Sequence, residues 1–176
     1  MAHAMPQASL REAQDRFIAV WGQMGSAWGI SRTMAEVHAL LYIVGEPLCT
    51  DEVMERLQIS RGSASMSLRA LLDWGVVSRA HKRGDRKEYF AAEQDVWAMF
   101  RSIVRERMRR EVDPVLASLY EIRDMTAPAR DAGAHNARLD AIVSFLRTVE
   151  GVGQRFVSPA GEGLRVAANI LSKLTG

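Results

Sequence analysis

Residues 59–90 read ISRGSASMSLRALLDWGVVSRAHKRGDRKEYF, and their reading decides the fold. Ser60 is suited to cap a helix, because its hydroxyl can accept a free N–H of the first turn. Ala64, Leu68, Leu71 and Leu72 recur at helical spacing, and Gly75 stands where a left-handed residue ends a helix. The other face carries Arg61, Ser63, Ser65, Met66, Ser67 and Arg69. Small hydroxyls flanked by guanidiniums can lie against a groove without clashing. Val76-Val77-Ser78-Arg79 predicts a short strand from its β-branched pair. His81 to Lys87 forms a basic turn, and Glu88-Tyr89-Phe90-Ala91 returns as a second strand. A helix followed by a basic hairpin is the pattern of a winged helix, with the helix in a major groove and the wing along the backbone or minor groove.

Charge supports that placement. Residues 1–58 carry four Lys or Arg and seven acids, net −3. Residues 59–90 carry seven Lys or Arg and three acids, net +4, and the remainder is net +1. The positive excess is local, as expected for contact with a polyanion. A solvated hairpin would give the same count; the hydroxyl-rich helix beside it tips the balance.

Outward from this segment, Thr50 is expected to cap Asp51 to Leu57, whose acids suit the helix N-terminal dipole. With Ser60 a few residues on, the two short helices form a helix-turn-helix, residues 61–74 being the reader. Ser31 caps a largely buried helix over 32–44, and Gly45-Glu46-Pro47 is a turn. Ahead of it, Leu10, Ala13, Phe17, Val20 or Trp21, and Met24 form one stripe on a helix over 8–24, which must be buried on its own domain or on a second subunit. Gly25 and Gly29 are read as bracketing a break.

After the wing, Val96, Met99 or Phe100, Ile103, Met108 and Val112 trace a helix from Asp95, with Arg101, Arg105, Arg109 and Arg110 on a solvated exterior. Pro114 predicts a kink, or a new start capped by Asp113, with Val115, Leu119 and Ile122 continuing the stripe. Leu139, Ile142, Leu146 and Val149 mark a helix over 135–150, which Gly151-Val152-Gly153 loosens. Ser158-Pro159 caps a final stripe of Leu164, Ala167, Leu171 and Leu174. The expected fold is mainly α with a small β-hairpin wing: a winged helix-turn-helix over 31–94, an N-terminal dimerisation helix and link over 1–30, and a C-terminal helical dimerisation region over 95–176. A two-fold dimer gives each stripe an identical stripe to meet and spaces two readers about one DNA turn apart.

At 48% apolar and 25% charged the composition is that of an ordered globular chain. Cys49 is the only cysteine, so no intrachain disulfide is possible, which suits the cytoplasm. It reads as a small buried apolar residue. No run approaches the roughly 18 apolar residues of a membrane span, and no basic, apolar leader is read at the N-terminus. His3, His38, His81 and His135 are scattered, so no metal site or cofactor is expected. No nucleophile–base constellation is visible, which points away from an enzyme. Trp21, Trp28, Tyr42, Trp97 and Phe100 either line a pocket that could hold a cationic effector or serve as core, the commoner use. Trp74 reads as a plug between helix and wing.

Asp51-Glu52-Val53, Ile59 to Leu71, Trp74-Gly75-Val76-Val77 and Gly84 to Phe90 together resemble the MarR superfamily of dimeric winged-helix regulators, most closely its GbsR-like branch. The resemblance covers residues 25–112. It implies a homodimeric transcription factor, usually a repressor, often released by a small ligand. It implies that Arg86 at the wing tip enters the minor groove and that Asp85 orients it. A narrow minor groove concentrates negative potential, which favours an arginine there. Candidate contacts to double-stranded DNA are therefore Arg61, Ser63, Ser65, Met66, Ser67 and Arg69 on the helix, and Lys82, Arg83, Asp85, Arg86 and Lys87 on the wing. Arg69 has a competing use, an exposed pair with Asp73. The alternative class is a winged-helix module that binds protein and no DNA; an apolar, uncharged helix face would favour it.

Overall fold

The Ser9 hydroxyl accepts the Glu12 N–H at 3.2 Å and caps helix α1, Leu10–Ala27. The computed structural model describes residues 9–129 and 131–158. The last expected stripe, Leu164 to Leu174, lies outside the described residues. The chain divides between Met99 and Phe100 into two compact units.

In the first unit α1 packs on α2, Arg32–Val44, but not with the whole of the expected stripe. Leu10 and Val20 are 76% and 66% exposed. The packed face adds Ile18, Gly22 and Gly25 to Phe17 and Trp21. A Cβ on Gly25 would lie 2.5 Å from the Ala35 Cβ, and one on Gly22 would lie 2.5 Å from the Glu36 Cγ. The missing side chain at Gly25 is what lets the helices approach, whereas at Gly22 only the flexible Glu36 side chain is met. Gly25 is thus a buried contact inside α1, not a break; the turn falls at Gly29, with φ +76°.

Helix α2 is the centre of this unit. Ser31 caps it by accepting the Met34 N–H, and Gly45, at φ +74°, ends it as expected. Val37, Ala39, Leu40 and Leu41 are fully buried. Its neighbours include α3 (Thr50–Leu57), α4 (Arg61–Asp73) and a strand of the wing. The cap of α3 is Cys49 rather than Thr50: the Glu52 carboxylate accepts the Cys49 N–H at 2.6 Å, and Thr50 is already helical. Cys49 is buried, as read. Gln58 takes a left-handed φ of 53° to turn the chain between α3 and α4.

A short strand absent from the sequence reading, β1 (Leu48–Cys49), joins β2 (Val77–Ala80) and β3 (Tyr89–Ala92) in an antiparallel sheet ordered β1-β3-β2. Leu48 lies opposite Phe90, and Val77 opposite Ala92. This anchors the hairpin to the helix-turn-helix and buries Val76, Val77, Tyr89, Phe90 and Ala92.

Helix α5 runs Val96–Arg107, its first amides accepted by the Asp95 carboxylate. The chain then passes through a π-helical turn, Met108–Val112, into α6, Asp113–Thr126. Proline has no N–H to give, and the Asp113 N–H reaches back five residues to Met108. The wider turn absorbs the proline instead of a new cap at Asp113. The buried position of α6 is Leu116; Val115 and Ile122 of the expected stripe are 47% and 40% exposed. Helix α7, Gly133–Val157, runs straight through Gly151 and Gly153. Gly153 is buried, and a Cβ there would meet Met108 at 3.1–3.3 Å, so it marks a close approach and not a loosening. Arg109 and Arg110 lie on the exposed face as expected, but both pair with Glu106, which is buried. Arg109, donating with two nitrogens, holds that carboxyl below the usual range, and Arg110 adds to the effect.

Candidate nucleic-acid interface

Ser60 caps α4 as expected, accepting the Ser63 N–H at 3.2 Å and donating to the Ser63 hydroxyl at 3.0 Å. Ala64, Ser67, Leu68 and Leu71 form the buried face. Ser67 stands three residues after Ala64 and four before Leu71, inside the apolar stripe, so it is excluded from the outer face by geometry. That corrects the expectation for Ser67. Arg61, Ser63, Met66 and Arg69 are exposed, Met66 at 68%, and Ser65 is half-buried at the edge. Arg69 lies along its own helix, its Nε donating to the Ser65 carbonyl at 3.3 Å.

The hairpin tip, His81 to Glu88, is exposed throughout. Its turn is set by Gly84 at φ +86° and by the Asp85 N–H donating to the Lys82 carbonyl at 3.1 Å. The Asp85 carboxylate accepts the Tyr89 hydroxyl at 2.7 Å and the Lys87 N–H at 2.9 Å. The Tyr89 hydroxyl beside Asp85 holds that carboxyl below its ordinary value, and the same bond pushes the phenol up to about 12. Lys82 places its ammonium 4.2 Å from the Tyr89 ring centre. Asp85 thus shapes the wing through Tyr89 and the turn's backbone. Arg83 and Arg86 project from the tip with no ion pair among the described residues.

Acids stand close behind these cations. Asp51, in the first turn of α3, pairs with Arg61 at 2.5 Å and with Lys87 at 3.6 Å. Glu52 beside it has its carboxyl lowered, mainly by the Cys49 N–H, with Lys82 and Lys87 contributing. Arg79 on β2 pairs with Glu88 across the hairpin. Between α4 and the hairpin base an open cleft of about 310 Å³ is lined by Ser65, Arg69, Arg79 and Glu88, among others. Tyr89 and Glu88 are read from the sequence only as strand residues, and Asp51 only as an acid of the first turn of its helix and part of the family resemblance; none is expected as a partner of the interface cations.

The expected aromatic group divides. Trp21 and Tyr42 join Phe17 and His38 in one cluster between α1 and α2, with ring centres 5.5–6.5 Å apart. His38 is buried, and desolvation lowers its pKa to about 4. Trp28, past the end of α1, is 52% exposed, and Trp97 is half-buried. Phe100 belongs to the second unit and packs edge-to-face on Phe156 at 5.4 Å.

The sequence profile of the MarR family matches residues 28–88, which span α2, the helix-turn-helix and the hairpin almost to its last strand. The winged helix of this chain belongs to the MarR family. The chain is also similar to GbsR and to a second regulator of the same organism. The HTH-type transcriptional repressor GbsR of Bacillus subtilis (strain 168) is 30% identical over 114 residues, covering 65% of this chain and 63% of GbsR. The putative HTH-type transcriptional regulator YvaV of the same organism is 26% identical over 54% of each chain. The chain thus spans under two thirds of the length of these curated relatives. A solved structure described as a transcriptional regulator superposes with a TM-score of 0.61 at 21% identity, over 85% of this chain and 99% of that one, and supports the fold. Among the described residues no helix is long and apolar enough to cross a membrane, and no three His, Cys, Asp or Glu side chains group to hold a metal.

Proposed function

We propose that this MarR-type chain is a DNA-binding transcriptional regulator, acting as a repressor and as a homodimer, that reads an inverted repeat in double-stranded DNA and is released by a small-molecule effector. The observation that carries the reading is the joining of two surfaces by one three-stranded sheet: the hydroxyl-and-guanidinium face of α4 and the exposed basic tip of the wing. The sheet ties the hairpin to the strand that leads into α3, and β2 packs on α4, an arrangement suited to reading two adjacent grooves. In this reading Ser63, Ser65 and Met66 meet base edges, Arg61, Arg69, Lys82, Arg83 and Lys87 meet phosphates, and Arg86 enters the minor groove.

The dimer is supported by apolar surface the single chain leaves uncovered. On α6 and α7 Met125, Phe145 and Val152 are 78%, 65% and 62% exposed. A monomer rarely tolerates so many large apolar side chains on neighbouring helices. An effector would act by shifting the population between two spacings of the readers. The proposal is tested by mobility shift on DNA selected from a random pool. Arg86→Ala is expected to weaken binding to all sequences, and Ser65→Glu to abolish it. Unchanged affinity in both variants, with folding intact, would refute the assignment of faces.

A further inference from the structure

The basic residues of the interface are not all available to DNA. Asp51 holds Arg61, from the first turn of the reader, and Lys87, from the wing. All three side chains are about half exposed, at 51%, 66% and 56%, so each faces the water that DNA would displace. No other described carboxylate joins the reader helix to the wing. Its neighbour Glu52 lies within electrostatic reach of Lys82 and Lys87 as well.

We infer that Asp51 is a specificity-determining residue that occupies the place of a DNA phosphate on Arg61 and Lys87, tempering sequence-independent attraction while it fixes the reader relative to the wing. The inference rests on the DNA-binding reading above. Its physical content is a competition. A carboxylate between two cations subtracts one unit of charge from the face that meets the backbone, so fewer counterions leave the DNA on binding. It also orients both cations before contact, which reduces the side-chain entropy lost in the specific complex. Non-specific binding gains only from charge and loses most to Asp51. Specific binding, which needs reader and wing in register, is compensated.

The experiment is a salt titration of the full chain with two duplexes, a selected operator and a scrambled sequence of equal length. The variants are Asp51→Asn, which removes the charge and nearly keeps the shape, and Asp51→Glu, which restores it. The expected result for Asp51→Asn is a steeper slope of log affinity against log salt, by about 0.9 per bound protomer. Affinity for scrambled DNA should rise roughly three- to ten-fold, on the scale of one or two exposed pairs, and operator-to-scrambled discrimination should fall. Asp51→Glu should return slope and discrimination toward those of the unaltered chain. A merely structural role would lower stability and weaken both duplexes without steepening the slope, so melting is followed in parallel. An unchanged or shallower slope in Asp51→Asn overturns the inference while leaving DNA binding intact. Failure of the unaltered chain to bind any duplex overturns the functional reading itself.

Discussion

Gly25→Ala should destabilise the chain even though alanine is the better helix former. The replacement gains about 0.8–1.0 kcal/mol of intrinsic helix propensity. Against this, the new Cβ would lie 2.5 Å from the Ala35 Cβ, which is fixed to the backbone of α2. Ordinary carbon contacts are about 3.5–4.0 Å, so α1 must retreat by roughly 1 Å along its whole contact with α2. Overpacking of this kind costs about 1–3 kcal/mol. Because the Ala35 Cβ cannot swing away, the cost belongs in the upper part of that range, about 2–3 kcal/mol, which leaves an expected net loss of about 1–2 kcal/mol, or roughly 2–8 °C in Tm for a chain of this size. Gly22→Ala provides the control. Its Cβ would meet the Glu36 side chain at 2.5–3.2 Å, and that flexible chain can swing away, giving up a pair with Arg32. An exposed pair is worth about 0.3–0.5 kcal/mol, so with the same propensity gain Gly22→Ala should be at least as stable as the parent, by up to about 0.7 kcal/mol. Urea unfolding followed by tryptophan fluorescence measures both, because Trp21 lies in the affected contact. Adding Ala35→Gly to Gly25→Ala should show a favourable coupling of at least about 1 kcal/mol in a double-mutant cycle. A Gly25→Ala protein as stable as the parent, or equal losses at Gly22 and Gly25, would refute close helix approach as the reason for Gly25.

Three further outcomes are expected. His38 has a folded pKa near 4 against an ordinary 6.5, so the unfolded chain binds the extra proton between those values; the resulting stability, about 3 kcal/mol, is present above pH 6.5 and lost as pH falls toward 4. His38→Met should flatten that part of a stability-against-pH curve. Ser67→Ala should leave DNA affinity unchanged because the side chain is buried, whereas Ser63→Glu, on the exposed face, should abolish binding in a gel-shift assay with little change in Tm. Tyr89→Phe removes the donor to Asp85 and should lower DNA affinity in the same assay while α4 stays folded by circular dichroism; equal affinity would remove the Asp85–Tyr89 bond from the wing's design.

The helix-turn-helix and wing were readable because each rests on local chemistry: hydroxyl caps at Ser31 and Ser60, left-handed glycines at Gly45 and Gly75, a β-branched pair at Val76-Val77. What escaped depends on neighbours far along the chain. Periodicity favoured Leu10 and Val20 because they are apolar, but helices that touch through Gly25 and Gly153 are organised by the absence of side chains. Hydrophobicity scores such positions as breaks. Ser67 was assigned by polarity when its place in the stripe required burial. Glu106 gave no local sign of being buried, since its neutralising arginines look like any solvated helical face. The two-residue strand β1 is too short to carry a period, and the shift of the α3 cap from Thr50 to Cys49 follows from a Glu52 bond that spacing suggests only in retrospect.

The same distinction governs the electrostatics of the interface. Counted along the sequence, residues 59–90 carry +4, but the folded face also meets Asp51 and Glu52 from the acidic N-terminal segment, which halve that excess. The cancellation is uneven in space. Arg61, Lys87 and Arg79 have carboxylate partners, while Arg83 and Arg86 at the wing tip have none among the described residues. On the DNA-binding reading, the uncompensated tip supplies the long-range attraction that raises the rate of encounter. The compensated cations near α4 contribute only after a phosphate has displaced a carboxylate at close range. Encounter and discrimination are thereby assigned to different residues. Charge removed at Arg86 should act mainly on the association rate and its salt dependence, and charge removed at Asp51 should act mainly on the dissociation rates from correct and incorrect DNA. Stopped-flow association with the two variants separates these cases, and a similar effect of both on the association rate alone would show that the face acts as one undivided patch.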